Sequence, residues 1–581
     1  MDRWITDTEP SQRFPVYTRA NAGEVLPDPV SPLAWTLTWA PGTVLGWRDS
    51  QVNTGTLDPS EVPEDNPGCV GVFGGYFYIN ASMARIFGVR APGLSAEMID
   101  FVYFGAQPDV PPYVPHPDDE RPDLTEKLGG FIMSALTATD LPELRDDREL
   151  AEAARENRPE LFELSDAELV ARARSFQPEL RRLFERHLTV TAGGSVGSGV
   201  IQMASIITGD ATKPMRLLAG LGDIDSAAPS WAMWELSRIV RDSPTLTALF
   251  DAGVDEASEL DDRLRTDESA DAFAFAAAID EFLFQFGSRG PNEWDIQSNT
   301  WETRPSLVYA AIDRMRMAHD GESPQVRHEA RIADREAVSA EMHELLGGDD
   351  AGLSQFMMGE ASAKAYLTGR ERAKTNIIKV LHEVRMAIHE IGMRAVDSGV
   401  IDDPFHVTML TDDELDAFIV EPAAFSTTIA ERFATQRELA DLEPPFFVNG
   451  TVPPLSSWRR KDAAPTAPPV TVGETLAGVP GCPGTWTGVA RVVLDPGDPF
   501  ALEPGDVLVA PYTDPAWTPL FVAAGAVIVD VGAQVSHAVI VSRELGIPCV
   551  VSVTGATKRI PNGATVEVNG TTGTVTVIAI P

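Results

Sequence analysis

His537 follows the apolar run AGAVIVD and the loop VGAQV. It stands at the start of SHAVIVSRELG, which ends at Gly546 with Pro548 just beyond. That order predicts a strand, a loop and a short helix, with Ser536 as N-cap and the glycine as the C-terminal stop. An imidazole in the first turn of a helix meets the positive end of the helix dipole and free backbone N–H groups, which favour a dianionic group. Neutral imidazole is a nucleophile near pH 7, so this ring suits carrying a phosphoryl group. Position alone fits a capping or packing histidine as well.

Other residues have types and spacings that suit chemistry on a phosphate. Arg370 and Lys374, four apart in GRERAKTNII, share a helix face. Two cations on one face suit neutralising a phosphoryl group in flight; with Glu371 and Arg372 alongside, a solvated charged face is the plain alternative. In FGSRGPNEWD, Gly287, Gly290 and Pro291 predict a turn that presents Arg289 and Glu293. Glu293 suits orienting or deprotonating a hydroxyl, and equally a helix start or a salt bridge. His382 and His389 lie seven apart on one predicted helix with no HExxH motif and no cysteine partner, so packed or solvated histidines are expected and no metal site. Cys69, Cys482 and Cys549 are far apart and form no CxxC, which argues against a disulfide framework or a zinc site. The sequence has no GxxxxGK[ST] phosphate loop.

These residues need a scaffold, and 581 residues with 44% hydrophobic and 23% charged suffice for two to four globular domains. A net charge of −40 repels phosphate backbones and anionic lipid, so neither nucleic acid nor membrane is an expected partner. The polar N-terminus lacks a signal-peptide pattern, and no stretch is read as a membrane span, so a cytoplasmic location is expected. Short β-like runs such as VGVFGGYFYIN (70–80) mark the chain up to about Pro122. Mostly helical patterning follows from about Leu124 to Leu442. Capping boxes stand at Ser165–Glu168 and Thr411–Glu414, and Ile377, Leu381, Val384, Ile388, Ile391 and Ala395 define one buried helical face. A Pro-rich stretch (451–474) then precedes about 105 residues of short β runs around the His537 helix. The expected layout is a mainly α-helical acceptor-binding domain with a β-containing N-terminal part (1–445), a linker (446–474) and a swivelling α/β domain (475–581).

The stretch GDVLVAPYTDPAWTPLFVAAGAVIVDVGAQVSHAVIVSRELGIPCVVSVTGAT, with GVPGCPGTWTGVARVV before it and NGATVEVNGTTGTV after it, resembles the mobile phosphohistidine domain of the phosphoenolpyruvate-utilising enzymes. That family includes phosphoenolpyruvate synthase, pyruvate phosphate dikinase and rifampin phosphotransferase. The resemblance places His537 on the residue that carries the phosphoryl group. The family usually has two glycines in the preceding loop, where this chain reads Gly532-Ala533. TRANAGEVLPDPVSPLAW (18–35), FGSRGPNEWDI (286–296), GRERAKTNII (369–378) and GVIDDPFHVTMLTDDEL (399–415) resemble the substrate domain of rifampin phosphotransferase, with Ser288 where that pattern often has histidine. By this resemblance Arg370 and Lys374 are catalytic cations, and Arg19, Arg289 and Glu293 are substrate-binding residues.

No part of the sequence resembles the ATP-grasp domain that charges the histidine in full-length members. The resemblance therefore implies the acceptor half of a split enzyme, similar to phenylphosphate synthase-type aryl kinases. ATP and Mg2+ are expected on a separate ATP-grasp subunit, none tightly bound to this chain, and a small hydroxylated aromatic is the expected acceptor. An antibiotic phosphotransferase, a phosphoenolpyruvate synthase-like subunit and a non-catalytic phosphocarrier or regulator are the alternatives.

Overall fold

The computed structural model describes residues 3–104, 109–222, 225, 228–255, 258–463, 468–494, 502–513, 517–532 and 536–581. Near the N-terminus, strands β1 (Val16–Thr18), β2 (Val70–Phe73) and β3 (Tyr76–Asn80) belong to one antiparallel sheet. The run predicted as β-like at 70–80 is a hairpin closed by Gly74 and Gly75. Both have positive φ, 57° and 82°, as a two-residue hairpin turn demands.

Most of the first 440 residues are helical. The axis is α5 (Asp350–Asp397), 48 residues long, which lies against α2 (Gln177–Ile201). The predicted apolar face is its core face: Ile377, Leu381, Val384, Ile388, Ile391 and Ala395 are all buried in the largest hydrophobic cluster. The two helices approach closely through glycines. A Cβ added to Gly193 would run into Tyr366, one at Gly197 into the backbone of Ala363, and one at Gly359 into Val200. The capping box at Ser165 is present, with Glu168 Oε2 accepting from Ser165 N at 2.8 Å. At Thr411 the same pattern opens a 3-10 turn (Asp412–Glu414) and a four-residue helix, a shorter element than the predicted helix. Helices α1 (Ala22–Val25), α3 (Ser306–Arg316) and α4 (Pro324–Leu346) complete the parts used below.

Two sequence expectations change. Residues Asp166–Thr208 contain a helical window of mean hydropathy 1.3, long and apolar enough by length and composition to cross a membrane. The glycine-rich stretch 193–199 within it carries no charge, and its small residues form the seam against α5. The span 446–474, predicted to be linker, starts with folded chain: β5 (Phe447–Asn449) pairs with β1 and completes the sheet in the order β2-β3-β1-β5. Strand β4 (Leu442–Glu443) pairs with β6 (Arg459–Arg460), and Trp458 packs on the sheet residue Tyr76. At the far end, Val470 N donates to Arg559 O and Gly473 N to Val577 O, so the chain already belongs to the last domain there. Folded contacts thus reach Lys461, whose N donates to Asp441 O, on one side and Val470 on the other; residues 464–467 between them lie outside the described set.

The C-terminal domain is an eight-stranded sheet built from β7 (Thr475–Ala477), β8 (Val479–Cys482), β9 (Thr485–Val492), β10 (Val507–Ala510), β11 (Ala526–Val529), β12 (Cys549–Val551), β13 (Thr565–Asn569) and β14 (Thr574–Ala579), in the order β7-β14-β13-β9-β10-β11-β12-β8. Strands β9 to β12 run parallel, and the flanking pairs are antiparallel. Helices α6 (Thr518–Ala523) and α7 (His537–Leu545) cover one face. The loops beyond the carboxyl ends of parallel strands are where such sheets present their ligands, and His537 lies there, after β11. Cys482 and Cys549 are remote in sequence but cross-strand neighbours on β8 and β12. Both are buried free thiols pushed up to about 12 by desolvation, hence unreactive.

Candidate active site at the interface of two domains

The face of the C-terminal domain that carries His537 is docked on the helical domain. His328 Nδ1 of α4 lies 2.9 Å from Glu544 Oε2 of α7, both buried. Val522 of α6 enters the apolar cluster that contains Trp301, Tyr309 and Ile312. The docking forms a partly open cavity of about 90 Å³. Its walls come from both domains: Glu24 beside β1, His187 of α2, Glu293 and Trp294 of the 287–296 loop, Arg370 and Lys374 of α5, and Thr513 and His537 opposite them.

His537 is the first residue of α7, as predicted. Ser536 has the extended N-cap backbone, φ −73° and ψ 161°, but its side chain makes no capping bond and Oγ is buried without a partner. Thr513 Oγ1, beyond the end of β10, lies 3.1 Å from His537 Nδ1, and Phe521 meets the ring edge-on at 5.9 Å. Desolvation first, then the charges of Lys374 and Arg289, hold the imidazole well below its ordinary value. The ring is therefore neutral at pH 7 and keeps a nucleophilic lone pair. The Gly532-Ala533 departure has its second residue outside the described set.

Arg370 and Lys374 face the cavity from α5. Arg370 Nη1 donates to Glu371 at 3.2 Å, while its Nε is buried without a partner. Lys374 Nζ is 3.2 Å from Glu293 Oε1, and Arg289 Nε is 3.0 Å from Glu293 Oε2. Glu293 is 1% exposed and sits between these two cations, which places it as their salt-bridge partner. The loop that holds it is fixed from below. The buried Arg385 donates to the carbonyls of Glu293 at 2.6 Å and Asp295 at 3.0 Å, and Asp295 accepts from Ser31 N and Oγ. Gly290 lies so close to the backbone of Thr300 that a Cβ would meet it at 2.8 Å. Burial depresses Arg385 to about 10 without discharging it.

Arg19 is not among the cavity residues. It is buried and donates to the carbonyls of Leu26, Phe77 and Pro27, with its guanidinium over the rings of Tyr76 and Tyr78. Those bonds tie the 19–27 loop, and with it Glu24, onto the sheet. The expected substrate-binding role is therefore corrected to a positioning one: the side-chain hydrogen bonds of Arg19 go to backbone carbonyls of that loop and of β3.

Three residues that matter in the cavity escape the sequence reading: Thr513, described above, His187 and Glu24. His187 lies against Phe184 and Trp294, and burial with the charges of Arg370 and Lys374 pushes it down to about 3. Its Nδ1 is buried without a partner. The signal was available: 180, 183, 184, 187 and 190 form one helical face, on which His187 is the only residue that is not apolar. Glu24 stands inside the Gly- and Pro-rich stretch 18–35. It accepts a hydrogen bond from the backbone N–H of His537, its Oε1 is buried without a partner, and desolvation pushes it up to about 8. His382 is a buried partner of Glu302, 2.7 Å away in an Arg158–Glu302–Glu383 network. Among the described residues no cluster of three or more His, Cys, Asp or Glu comes together to hold a metal ion.

Residues 186–371 match the family profile of the rifampicin phosphotransferase fourth domain, and residues 502–573 match the mobile domain of PEP-utilising enzymes. Two stretches of the chain are thus similar to domains of rifampicin phosphotransferase and of the phosphoenolpyruvate-utilising enzymes. The first match contains His187, Arg289, Glu293 and Arg370, and the second contains Thr513 and His537. An uncharacterised Mycobacterium tuberculosis protein is 31% identical over 54% of this chain and 32% of its own length. The rifampicin phosphotransferase of Streptomyces sviceus is 29% identical over 60% of this chain and 39% of its own. The prodigiosin synthesizing transferase PigC of Serratia marcescens is 28% identical over 62% and 40%. The aligned part thus spans about a third to two fifths of these curated relatives.

Proposed function

We propose that this protein transfers a phosphoryl group, carried on His537, to the hydroxyl of a small acceptor held in the interdomain cavity. The observation that carries this reading is the meeting of a neutral His537 on one domain with Lys374 and Arg370 on the other, around one cavity. Thr513 Oγ1, 3.1 Å from Nδ1, orients the imidazole toward the cavity. The N–P bond breaks with its electron pair remaining on the imidazole, and an O–P bond forms to the acceptor. Lys374 and Arg370 stabilise the charge on the transferring group, as fixed cations in a water-poor site do.

The charge on His537 comes from ATP, through a nucleotide-binding subunit on a separate polypeptide where ATP and Mg2+ are held. The chain between residues 461 and 470 would serve as the tether on which the carrier domain leaves one site for the other. A cavity of about 90 Å³ favours a compact acceptor such as a phenol, since drug-sized ligands fill roughly 300–1,000 Å³. The second reading, an antibiotic acceptor, is favoured by the rifampicin phosphotransferase profile over 186–371.

The test loads the full chain at His537 with potassium phosphoramidate, a small phosphoryl donor that needs no partner. The loaded protein is then mixed with phenol, substituted phenols, rifampicin or pyruvate, and phosphohistidine and product are followed by phosphorus NMR under basic conditions. Expected is a phosphate ester of a phenol with loss of the His537 adduct. Adduct on another residue, or an adduct that decays only to inorganic phosphate with every acceptor, overturns the proposal.

A further inference from the structure

The transfer just proposed releases a proton from the acceptor hydroxyl, and the following inference rests on that reading. Three carboxylates line the cavity. Glu293 is engaged by Lys374 and Arg289, and Glu371 by Arg370. Glu24 makes no ion pair among the described residues, and one of its oxygens is buried with no hydrogen-bond partner. Its other interaction is with the backbone N–H of His537, the first N–H of the helix that carries the phosphoryl group. Glu24 is thus anchored beside the reacting imidazole and has an oxygen to spare. His187 is a poor base, being pushed down to about 3.

We propose that Glu24 is the catalytic base that takes the proton of the acceptor hydroxyl as the phosphoryl group leaves His537. The acceptor O–H bond breaks as the O–P bond forms, the proton passes to the unpartnered oxygen of Glu24, and His537 is left as neutral imidazole. A carboxylate in water is too weak a base for this work. Desolvation corrects that by pushing Glu24 up to about 8, opposed by Arg370 and Lys374; a base works best when its proton affinity lies near the working pH. Glu293, Glu371, His187 and His537 are the other titratable groups facing the same space. The base form is the carboxylate, so transfer to a protonated acceptor rises with pH and levels off above about 8. Arg19 enters here as the positioning residue, since it holds the loop on which Glu24 stands.

The test uses Glu24→Gln in the full chain, loaded at His537 with phosphoramidate, with two probe acceptors at about pH 9. There phenol keeps its proton, as a tyrosine side chain near 10 does, and 4-nitrophenol has already lost it. Expected is a fall of about 100-fold or more toward phenol and a change within about threefold toward 4-nitrophenolate, at unchanged loading of His537. The rise of the phenol rate with pH is lost as well. An equal loss toward both acceptors marks Glu24 as structural and overturns the inference, as does wild-type transfer to phenol by the variant. If wild-type protein phosphorylates neither phenol nor any other acceptor, the proposed function falls and the base falls with it.

Discussion

Replacing Lys374 by methionine keeps the apolar stem of the side chain and removes its charge. Two consequences separate in magnitude. For stability, Glu293 is 1% exposed but is not orphaned, because Arg289 remains 3.0 Å away. The cost is therefore about 1 kcal/mol, well below the roughly 3–5 kcal/mol of a buried charge that loses its last partner. For transfer, the variant loses a cation aimed at the place where the phosphoryl group develops charge. One such donor is worth about 3 kcal/mol, which is about 100-fold in rate at 1.36 kcal/mol per tenfold. His537 also loses the charge that ranks second among the causes of its depression, so its imidazole titrates closer to the ordinary range. The assay is single-turnover transfer from phosphoramidate-loaded protein to phenol, beside a thermal melt of the same sample. Lys374→Met that melts near wild type and transfers about 100-fold more slowly supports the reasoning. Transfer within about threefold of wild type would show that the Lys374–Glu293 contact is only structural and refute it. Glu293→Gln provides the contrast, since it leaves Arg289 and Lys374 facing each other without a counter-charge and is expected to melt lower than Lys374→Met.

His537→Asn should fold and melt like wild type yet take up no phosphate, checked by mass spectrometry under neutral or basic conditions. Removing the interdomain contact with Glu544→Ala should increase the undocked fraction, read as a larger radius of gyration in solution scattering and faster proteolysis between residues 461 and 470; an unchanged profile would deny the His328 contact a role in docking. Gly197→Val forces a side chain into the backbone of Ala363 and should destabilise the helical domain by about 1–3 kcal/mol, measured by denaturant titration. Asp530 is half-buried at the end of β11, accepts from Thr557 N at 2.9 Å and is pushed up from 3.8 to about 6 by desolvation. The folded state therefore holds this proton more tightly than the unfolded one. Its contribution to stability is present below pH 3.8 and is lost as pH rises through 6. The Tm of wild type should accordingly fall relative to that of Asp530→Asn across this window and run parallel to it above.

Much of the site was legible from local sequence, because local sequence carries local geometry. An apolar strand run, a loop, a serine and a helix that stops at glycine place His537 at a helix start without any tertiary information. Spacings of three and four along 377–395 identify the buried face of α5, and a spacing of four puts Arg370 and Lys374 on one side of it. The composition of 70–80 marks it as β-like, while its folding back at Gly74-Gly75 into a hairpin is seen in the strand pairing. The remainder depended on contacts between residues far apart in the chain. That β5 completes a sheet begun at β1 is invisible in a Pro-rich stretch, because strand pairing is settled by the partner and not by the strand. Glu293 read equally well as a base or as a salt-bridge carboxylate until Lys374 and Arg289 were found on either side of it. Arg19 looked like a ligand-binding cation, since an arginine that spends its donors on backbone carbonyls has no distinguishing pattern in sequence. Glu24 has no distinguishing signal in its local sequence. Its environment is made by His537, 513 residues later, and by α5. A carboxylate acquires a raised proton affinity only where folding removes water and leaves its charge incompletely paired.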